Sequence, residues 1–315
     1  MKLHSFMQQV KTIGKIDAYP ASREERDRLL ALLNIQSENF YQEIEMDDPL
    51  VQTQEDVSIA NDVVNLHSHT YYEIIFIRSG KLQYLIGTQR FRVRRGDILL
   101  ISPGVSHRPL FLEQLQEPYS RDVIWLSPAC ADLMQTQWPD LRKLHQLPCM
   151  LRTGDLASGC IAAYESAFRA GVREYTAAGV GWEAAVFANT LQLLVSLQRD
   201  FGSGRVVQPA AEKQDLLDMI MAYTEDHLAD HITLERTARQ FHVSVSTISQ
   251  LFHRRLGIGY YRYVTQRRLI AAKTYILEGI PLGSIAEAVG FTDYSSFYRA
   301  FKQEYGISPT KFKSL

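Results

Sequence analysis

Three imidazoles and a carboxylate fall close together early in the chain: His67-x-His69-x3-Glu73, followed later by His107. Residues two apart on a strand point to one face, so His67 and His69 share a side on which Glu73 and His107 can converge. Such a set is a credible shell for a divalent cation. The same side chains can instead line a small-molecule pocket, or hydrogen-bond among themselves. The pocket is the preferred reading and the metal shell the alternative. Tyr84 and Trp125, taken to lie on neighbouring strands, supply rings that can stack on a sugar or another small ring. Small barrels hold such ligands in their mouths.

A second constellation is electrostatic. Between residues 236 and 277 stand Arg236, Arg239, Arg254, Arg255, Arg262, Arg267, Arg268 and Lys273, with no Asp or Glu. A solvated surface normally mixes both signs, so this stretch suits a polyanion partner. The formal net charge of −1 conceals an asymmetry. Residues 212–315 carry 13 Lys/Arg and 11 Asp/Glu, whereas residues 1–211 carry 21 and 24.

Two kinds of element must position these groups. The histidines sit in a region of short strands, Val63–His69, Tyr72–Ile77, Lys81–Ile86, Phe91–Arg94, Asp97–Ile101 and Asp122–Leu126, rich in β-branched and aromatic residues. Gly80, Gly87, Gly96 and Pro103-Gly104 punctuate them. Short strands with frequent turns predict a small barrel or jelly roll over about 51–127. Before it, residues 21–45 read as an amphipathic helix with a Ser22/Glu25 capping box, either an arm over the barrel or an ordinary cover for it. After it, residues 155–200 read as a helical pair broken at Gly179-Val180-Gly181. The second helix carries an apolar arc of about 200°, wider than a single stripe. That predicts packing on its own domain and on a second surface, a partner subunit or the interior of a larger monomer. Residues 201–214 hold two glycines, a proline and no period, and read as a linker. Residues 215–315 read as all helix.

The whole, 315 residues with 46% hydrophobic and 22% charged, fits two globular domains and argues against disorder. No apolar run approaches the roughly 18 residues that cross a bilayer, and the first residues lack a secretion signal. Cys130, Cys149 and Cys160 form no CxxC and read as ordinary buried thiols. The expectation is a soluble cytoplasmic protein without a cofactor.

The cationic region contains a faint repeat. Ala238, Phe252 and Gly257 are echoed by Ala286, Phe301 and Gly306. In each copy a short helix, a turn and a second capped helix ending at glycine describe a helix-turn-helix. Thr233 caps the first helix of copy one, and Ser244 or Ser246 the second. In copy two, Ser284 leads, Gly290-Phe291 turns the chain, and Thr292 or Asp293 caps. Gly290 stands where a turn needs a small residue at positive φ. A helix of roughly Tyr260–Leu277 joins the copies and spans ~27 Å, of the order of the ~34 Å between successive major-groove faces.

These residues resemble the DNA-binding domain of the AraC family of bacterial transcription regulators. The match rests on Ile285-Ala286-x3-Gly290-Phe291-x-Asp293-x-Ser295-x-Phe297-x-Arg299-x-Phe301-Lys302 and Gly306-x-Ser308-Pro309, with Tyr263, Arg268, Leu269 and Ala272 on the joining helix. Departures are Phe252-His253-Arg254 where Phe-Lys-Lys is usual, and Gly259 where serine is common. The resemblance implies base reading by Ser246, Ser249 and Gln250 from one helix and by Ser295, Tyr298 and Arg299 from the other. Arg299 suits guanine and Gln250 adenine. Packing is the plainer role for Tyr298, and an internal salt bridge for Arg299. Arg254, Arg255, Arg268 and Lys302 are expected on phosphates. In the N-terminal half, His67-x-His69-x3-Glu73-x6-Gly80 and Gly96-x7-Gly104-x2-His107 resemble the two cupin motifs, with Ser102 and Phe111 replacing the usual proline and asparagine. Sensor domains of the AraC family are cupin-like.

The expected fold is therefore a cupin-like jelly-roll barrel with a helical pair over residues 1–200, then an all-α domain with two helix-turn-helix units. The expected function is a ligand-responsive transcription regulator, not an enzyme, acting as an activator. Its partners would be double-stranded DNA, a small-molecule effector with a sugar as one candidate, a second copy of itself, and RNA polymerase. The rivals are a metal-dependent cupin enzyme and a metal-responsive regulator, each with a DNA-binding tail. An RNA partner is less well supported, since the tail lacks an aromatic β platform or a GxxG loop.

Overall fold

Alternation of side chains decides the N-terminal architecture. The computed structural model describes residues 46, 50–58, 66–111, 117–153, 159–206, 208 and 215–313. Within them lie β1 (Val51–Ser58), β2 (Tyr72–Ser79), β3 (Leu82–Ile86), β4 (Gln89–Val93), β5 (Asp97–Ile101), β6 (His107–Leu110), β7 (Tyr119–Leu126) and β8 (Met150–Arg152). They form two antiparallel sheets, ordered β1-β7-β2-β5-β8 and β4-β3-β6. Successive residues of β2 and β5 face opposite ways. Ile75, Ile77, Leu99 and Ile101 join Tyr84, Ile86, Phe91 and Trp125 in the lumen between the sheets. Ile74, Phe76, Ile98 and Leu100 point outward and are covered by helices.

Those covering helices are α1 (Pro128–Gln137), α2 (Gly159–Ala177) and α3 (Trp182–Gly202). The broad apolar arc of α3 is partly used within the chain: Val186, Leu193, Leu194 and Leu197 are buried against the sheet, with Phe187 and Leu191 half-buried beside them. Three details depart from the sequence reading. Helix α1 lies in a stretch left without an element. Helix α3 runs through Gly202 and Val206 is buried, so a linker cannot begin at 201. The strand expected over Val63–His69 is described only from Leu66, where His67 makes a single antiparallel bridge to His107. The helix expected over 21–45 lies outside the described residues.

The C-terminal unit comprises α4 (Leu216–Asp226), α5 (Leu234–Gln240), α6 (Val245–Leu256), α7 (Tyr260–Leu277), α8 (Leu282–Ala288), α9 (Tyr294–Tyr305) and α10 (Pro309–Lys313). Side-chain caps start most of the longer ones: Asp215 with Asp218 in a capping box on α4, Thr233 on α5, Ser244 on α6 and Asp293 on α9. Left-handed glycines, Gly257 at φ 67° and Gly306 at φ 73°, end α6 and α9. The shared helix α7 gives Tyr260, Tyr263 and Val264 to a core with Ile248 and Phe252. It gives Leu269, Ala272 and Ile276 to a second core with Ile285, Phe297 and Phe301. One helix buried in both cores couples the two units rigidly.

The outer face of the three-stranded sheet is covered by this helical unit. Leu66, Leu85 and Leu110 pack with Leu217, Ile220, Met221 and Tyr263. No helix among the described residues is long and apolar enough to cross a membrane.

Candidate effector site and nucleic-acid interface

The histidine cluster converges in the lumen. Glu73, first in the lumen row of β2, meets His107 Nε2 at 3.1 Å and His69 Nε2 at 3.5 Å, both through Oε2. Its Oε1 accepts from Trp125 Nε1 at 2.9 Å. His69 Nδ1 donates to the Tyr71 carbonyl at 2.8 Å and His107 Nδ1 to the Val105 carbonyl at 2.9 Å. A carbonyl can only accept, so both Nδ1 atoms carry hydrogen. In a neutral imidazole Nε2 is then a lone pair aimed at Glu73. Such contacts with a carboxylate hold only if a positive charge lies among them, an imidazolium proton or a bound cation.

The ligand atoms of His69, Glu73 and His107 all lie within 4.8 Å of one another. His67 stands outside this set, although its ring centroid is 4.3 Å from that of His107. Burial pushes the His69 pKa down, against the pull of Glu73. Burial alone would raise the Glu73 carboxyl, but hydrogen bonds from His107 and His69 hold it well below the usual range.

Tyr84 and Trp125 both face the lumen, but they are not strand neighbours. Tyr84 is on β3 and Trp125 on β7, in different sheets. They look at each other's sheet across the cavity because the barrel folds over. Sequence reading missed several lumen residues. The Tyr71 ring stacks on His69, centroids 3.9 Å apart and 5° from parallel. Arg121 Nη2 lies 3.3 Å from Asp56 Oδ2, and its guanidinium sits 4.7 Å from the Tyr119 ring centroid. Burial raises the Asp56 carboxyl against the pull of Arg121, and it raises the Tyr84 and Tyr119 phenols. The alternation Tyr119-x-Arg121-x-Val123-x-Trp125 carried the signal for this row.

On the helical unit, Ser246 and Gln250 of α6 are exposed and Ser249 is half-buried. Ser246 Oγ lies 2.7 Å from the capping Ser244 Oγ. On α9, Ser295 and Arg299 are exposed and Tyr298 is half-buried, its ring 6.3 Å from that of Tyr294. Arg299 Nη2 lies 3.4 Å from Ser296 Oγ, and no carboxylate pairs with it among the described residues. Arg254 and Lys302 are exposed in the last turns of α6 and α9.

Two expected phosphate contacts are engaged elsewhere. Arg268 Nε donates to the Leu228 carbonyl at 3.0 Å and Nη2 to the Asp230 carbonyl at 2.8 Å. It clamps the α4–α5 connection, so it is removed from the phosphate set. Arg255 Nη2 is 3.3 Å from Asp215 Oδ2, which answers part of its charge. Gly290 lies beside the Arg268 clamp at φ 87°, where a Cβ would stand 2.2 Å from the Leu228 carbonyl oxygen. His242 holds the corresponding turn of the first copy at φ 53°.

Comparison with known proteins places both halves. Residues 237–314 match a helix-turn-helix domain, and residues 55–110 match the AraC-like ligand binding domain. The chain is 26% identical over 252 residues to the HTH-type transcriptional activator RhaS of Salmonella arizonae, covering 77% of this chain and 85% of that protein. RhaS of Salmonella typhimurium is likewise 26% identical over 258 residues, covering 77% and 85%. Among solved structures, ToxT from Vibrio cholerae is 13% identical with a TM-score of 0.33, covering 84% of this chain and 98% of that one.

Proposed function

The chain belongs to the AraC family of DNA-binding transcription regulators with an N-terminal ligand-binding domain, and from that premise we propose a ligand-responsive activator that reads DNA with α6 and α9. One observation carries the reading: two capped helices, each ended by a left-handed glycine, present exposed polar faces and share the buried shaft α7. Ser246, Ser249 and Gln250 on α6, with Ser295, Tyr298 and Arg299 on α9, are the proposed base readers. Arg254 and Lys302 are the proposed phosphate contacts, with Arg255 in a lesser role.

The lumen residues His67, His69, Glu73, Tyr84, His107 and Trp125 form the proposed effector pocket, to which Tyr71, Tyr119 and Arg121 are added. Carboxylates, phenols and an indole suit a polar ring compound such as a sugar. The α2–α3 pair is the proposed dimer contact. A groove of about 960 Å³ runs along it, lined by Ala163, Ala167, Ala170, Asn189, Gln192 and Ser196. Cytoplasmic location, contact with RNA polymerase and the lack of catalysis follow from this reading. Selection of bound duplexes from a randomised pool by the full chain tests it. The expected product holds two elements about one helical turn apart. No enrichment at low ionic strength would refute it.

A second reading is favoured by the imidazole geometry: a divalent cation held by His69, Glu73 and His107. Nδ1–H bonds to backbone carbonyls are the usual outer support of metal-binding histidines, and the three donors fit. When bound, the ion would act as a Lewis acid or a structural tie. Equilibrium dialysis against Zn²⁺ or Co²⁺ decides it: stoichiometric uptake lost in Glu73→Gln supports the cation, and no uptake ends this reading.

A further inference from the structure

The outer face of the three-stranded sheet carries Arg90, Leu85 and Arg108 in one cross-strand row, since Leu85 pairs with Arg90 on β4 and with Arg108 on β6. All three are buried, at 2%, 0% and 2% exposure. Arg90 Nε and Nη2 reach Asp218 at 2.8 and 3.0 Å, and Nη2 also reaches Asp215 at 2.7 Å. These acids are the capping box that starts α4. Arg108 donates to the Leu256 carbonyl, in the last turn of α6, where the helix dipole is negative. It meets no carboxylate among the described residues, and burial brings its pKa down to about 10. Lys273, inside the shaft α7, donates to the Ser68 carbonyl at 3.3 Å.

Each sensor residue in this contact is the chain neighbour of a lumen residue. Arg108 follows His107. Ser68 lies between His67 and His69. His67 and His107 are joined by a two-way backbone bridge at 3.3 and 2.9 Å, and Gly104 N donates to the His69 carbonyl at 2.9 Å. The effector site and the grip on the DNA reader therefore occupy opposite sides of the same short backbone. Glu73 already holds His69, His107 and Trp125, so any ligand that engages it competes with those contacts.

We infer that the Arg90, Arg108 and Lys273 contacts form a latch that couples the lumen site to the reading helices. A ligand that takes Glu73 from its histidines shifts the backbone at 67–69 and 107–108, and with it the hold on α6 and α7. The faces bearing Gln250 and Arg299 remain exposed in the latched arrangement, so the latch acts on the orientation of the reader and does not mask it. A buried ion pair of this kind is poor evidence for added stability, because apolar residues often serve as well. A contact that can be made and broken is a better account of its presence. The inference rests on the helical unit being a DNA reader.

Coupling is reciprocal, so it can be tested without knowing the effector. The probe is the selected duplex, added to the full-length chain while hydrogen exchange is followed at the amides of His67, His107 and Gly104. Sequence-specific duplex should change their exchange by about fivefold or more, the lower end of measured couplings, and a scrambled duplex should not. Arg108→Lys keeps the charge but loses the guanidinium's reach to the Leu256 carbonyl, and Lys273→Met removes the donor to the Ser68 carbonyl. Both should bind the duplex and lose the exchange response. Specific binding with no response in the wild type overturns the latch, and so does a full response in both variants. Absence of any duplex preference would overturn the DNA-reading function instead, and the binding curve alone reveals that case.

Discussion

Arg299 and Lys302 stand three residues apart on α9, and their chemistry separates them. A guanidinium fork can hold guanine O6 and N7 together, whereas an ammonium is a point charge suited to phosphate. Arg299→Ala is expected to cost about 1–3 kcal/mol on the selected site and to relax preference at one base position. Competition titrations with single-base variants measure this, and equal loss on random duplex would place Arg299 on phosphate. Lys302→Ala is expected to weaken all sequences alike and to lower the slope of log K against log salt by about one. Arg268 shows the limit of reading charge from sequence. Its type and spacing matched a cationic face, but its partners lie 40 and 38 residues away on the α4–α5 connection. Gly290 was legible as a turn residue, while the reason for glycine became visible only with the Leu228 carbonyl beside it. Gly290→Ala combines a left-handed backbone, which costs roughly 1–2 kcal/mol, with that collision. The thermal midpoint should fall, and DNA binding should fall with it.

At the scale of elements, what was legible in the sequence was local. Caps lie within three residues of the amides they satisfy, so Thr233, Ser244 and Asp293 announce their helices. Ser244→Ala should therefore cost about 1 kcal/mol of stability, read from urea unfolding. Runs rich in β-branched and aromatic residues, punctuated by glycines, likewise located β2, β3 and β5. Pairing across distance was not legible, which is why β7 was begun too late. Its first residues, Tyr119–Arg121, are polar or aromatic, and their pairing with β1 joins residues more than sixty positions apart. Helix α1 buries only Cys130 and Met134, too little for a periodic signal, although Ser127-Pro128 marks its start. The outer face of β7 also sets a pH response. Burial raises the Asp122 carboxyl from 3.8 to about 6, against the nearby Arg78, whose Nε is 3.2 Å away. The folded chain then keeps a proton that the unfolded chain releases between those values. This group's contribution to stability should decline as pH rises from about 4 to about 6 and stay level above. Urea midpoints across that range should slope less in Asp122→Asn.

In the whole molecule, the separation of the two reading helices is set by α7 and by nothing flexible. Its 18 residues span ~27 Å, and its side chains are buried in both cores, so neither reader can slide or swing independently. A rigid pair and a tethered pair make different demands on DNA. On a flexible tether, heads tolerate a changed spacing with a modest loss, because a longer gap costs only loop entropy that grows slowly with length. On a shaft, an insertion of about half a helical turn rotates the second element to the far side of the duplex. An insertion of a full turn, ~34 Å, restores the face but exceeds the shaft's reach. Both insertions into the selected site should therefore reduce binding by the full chain to what one element alone supports, as measured by gel shift beside duplexes with a single element. Recovery at the full-turn insertion is the outcome that a tethered arrangement requires. It would mean that α7 bends or breaks when DNA is bound, and that the two buried cores on it do not hold together on the duplex.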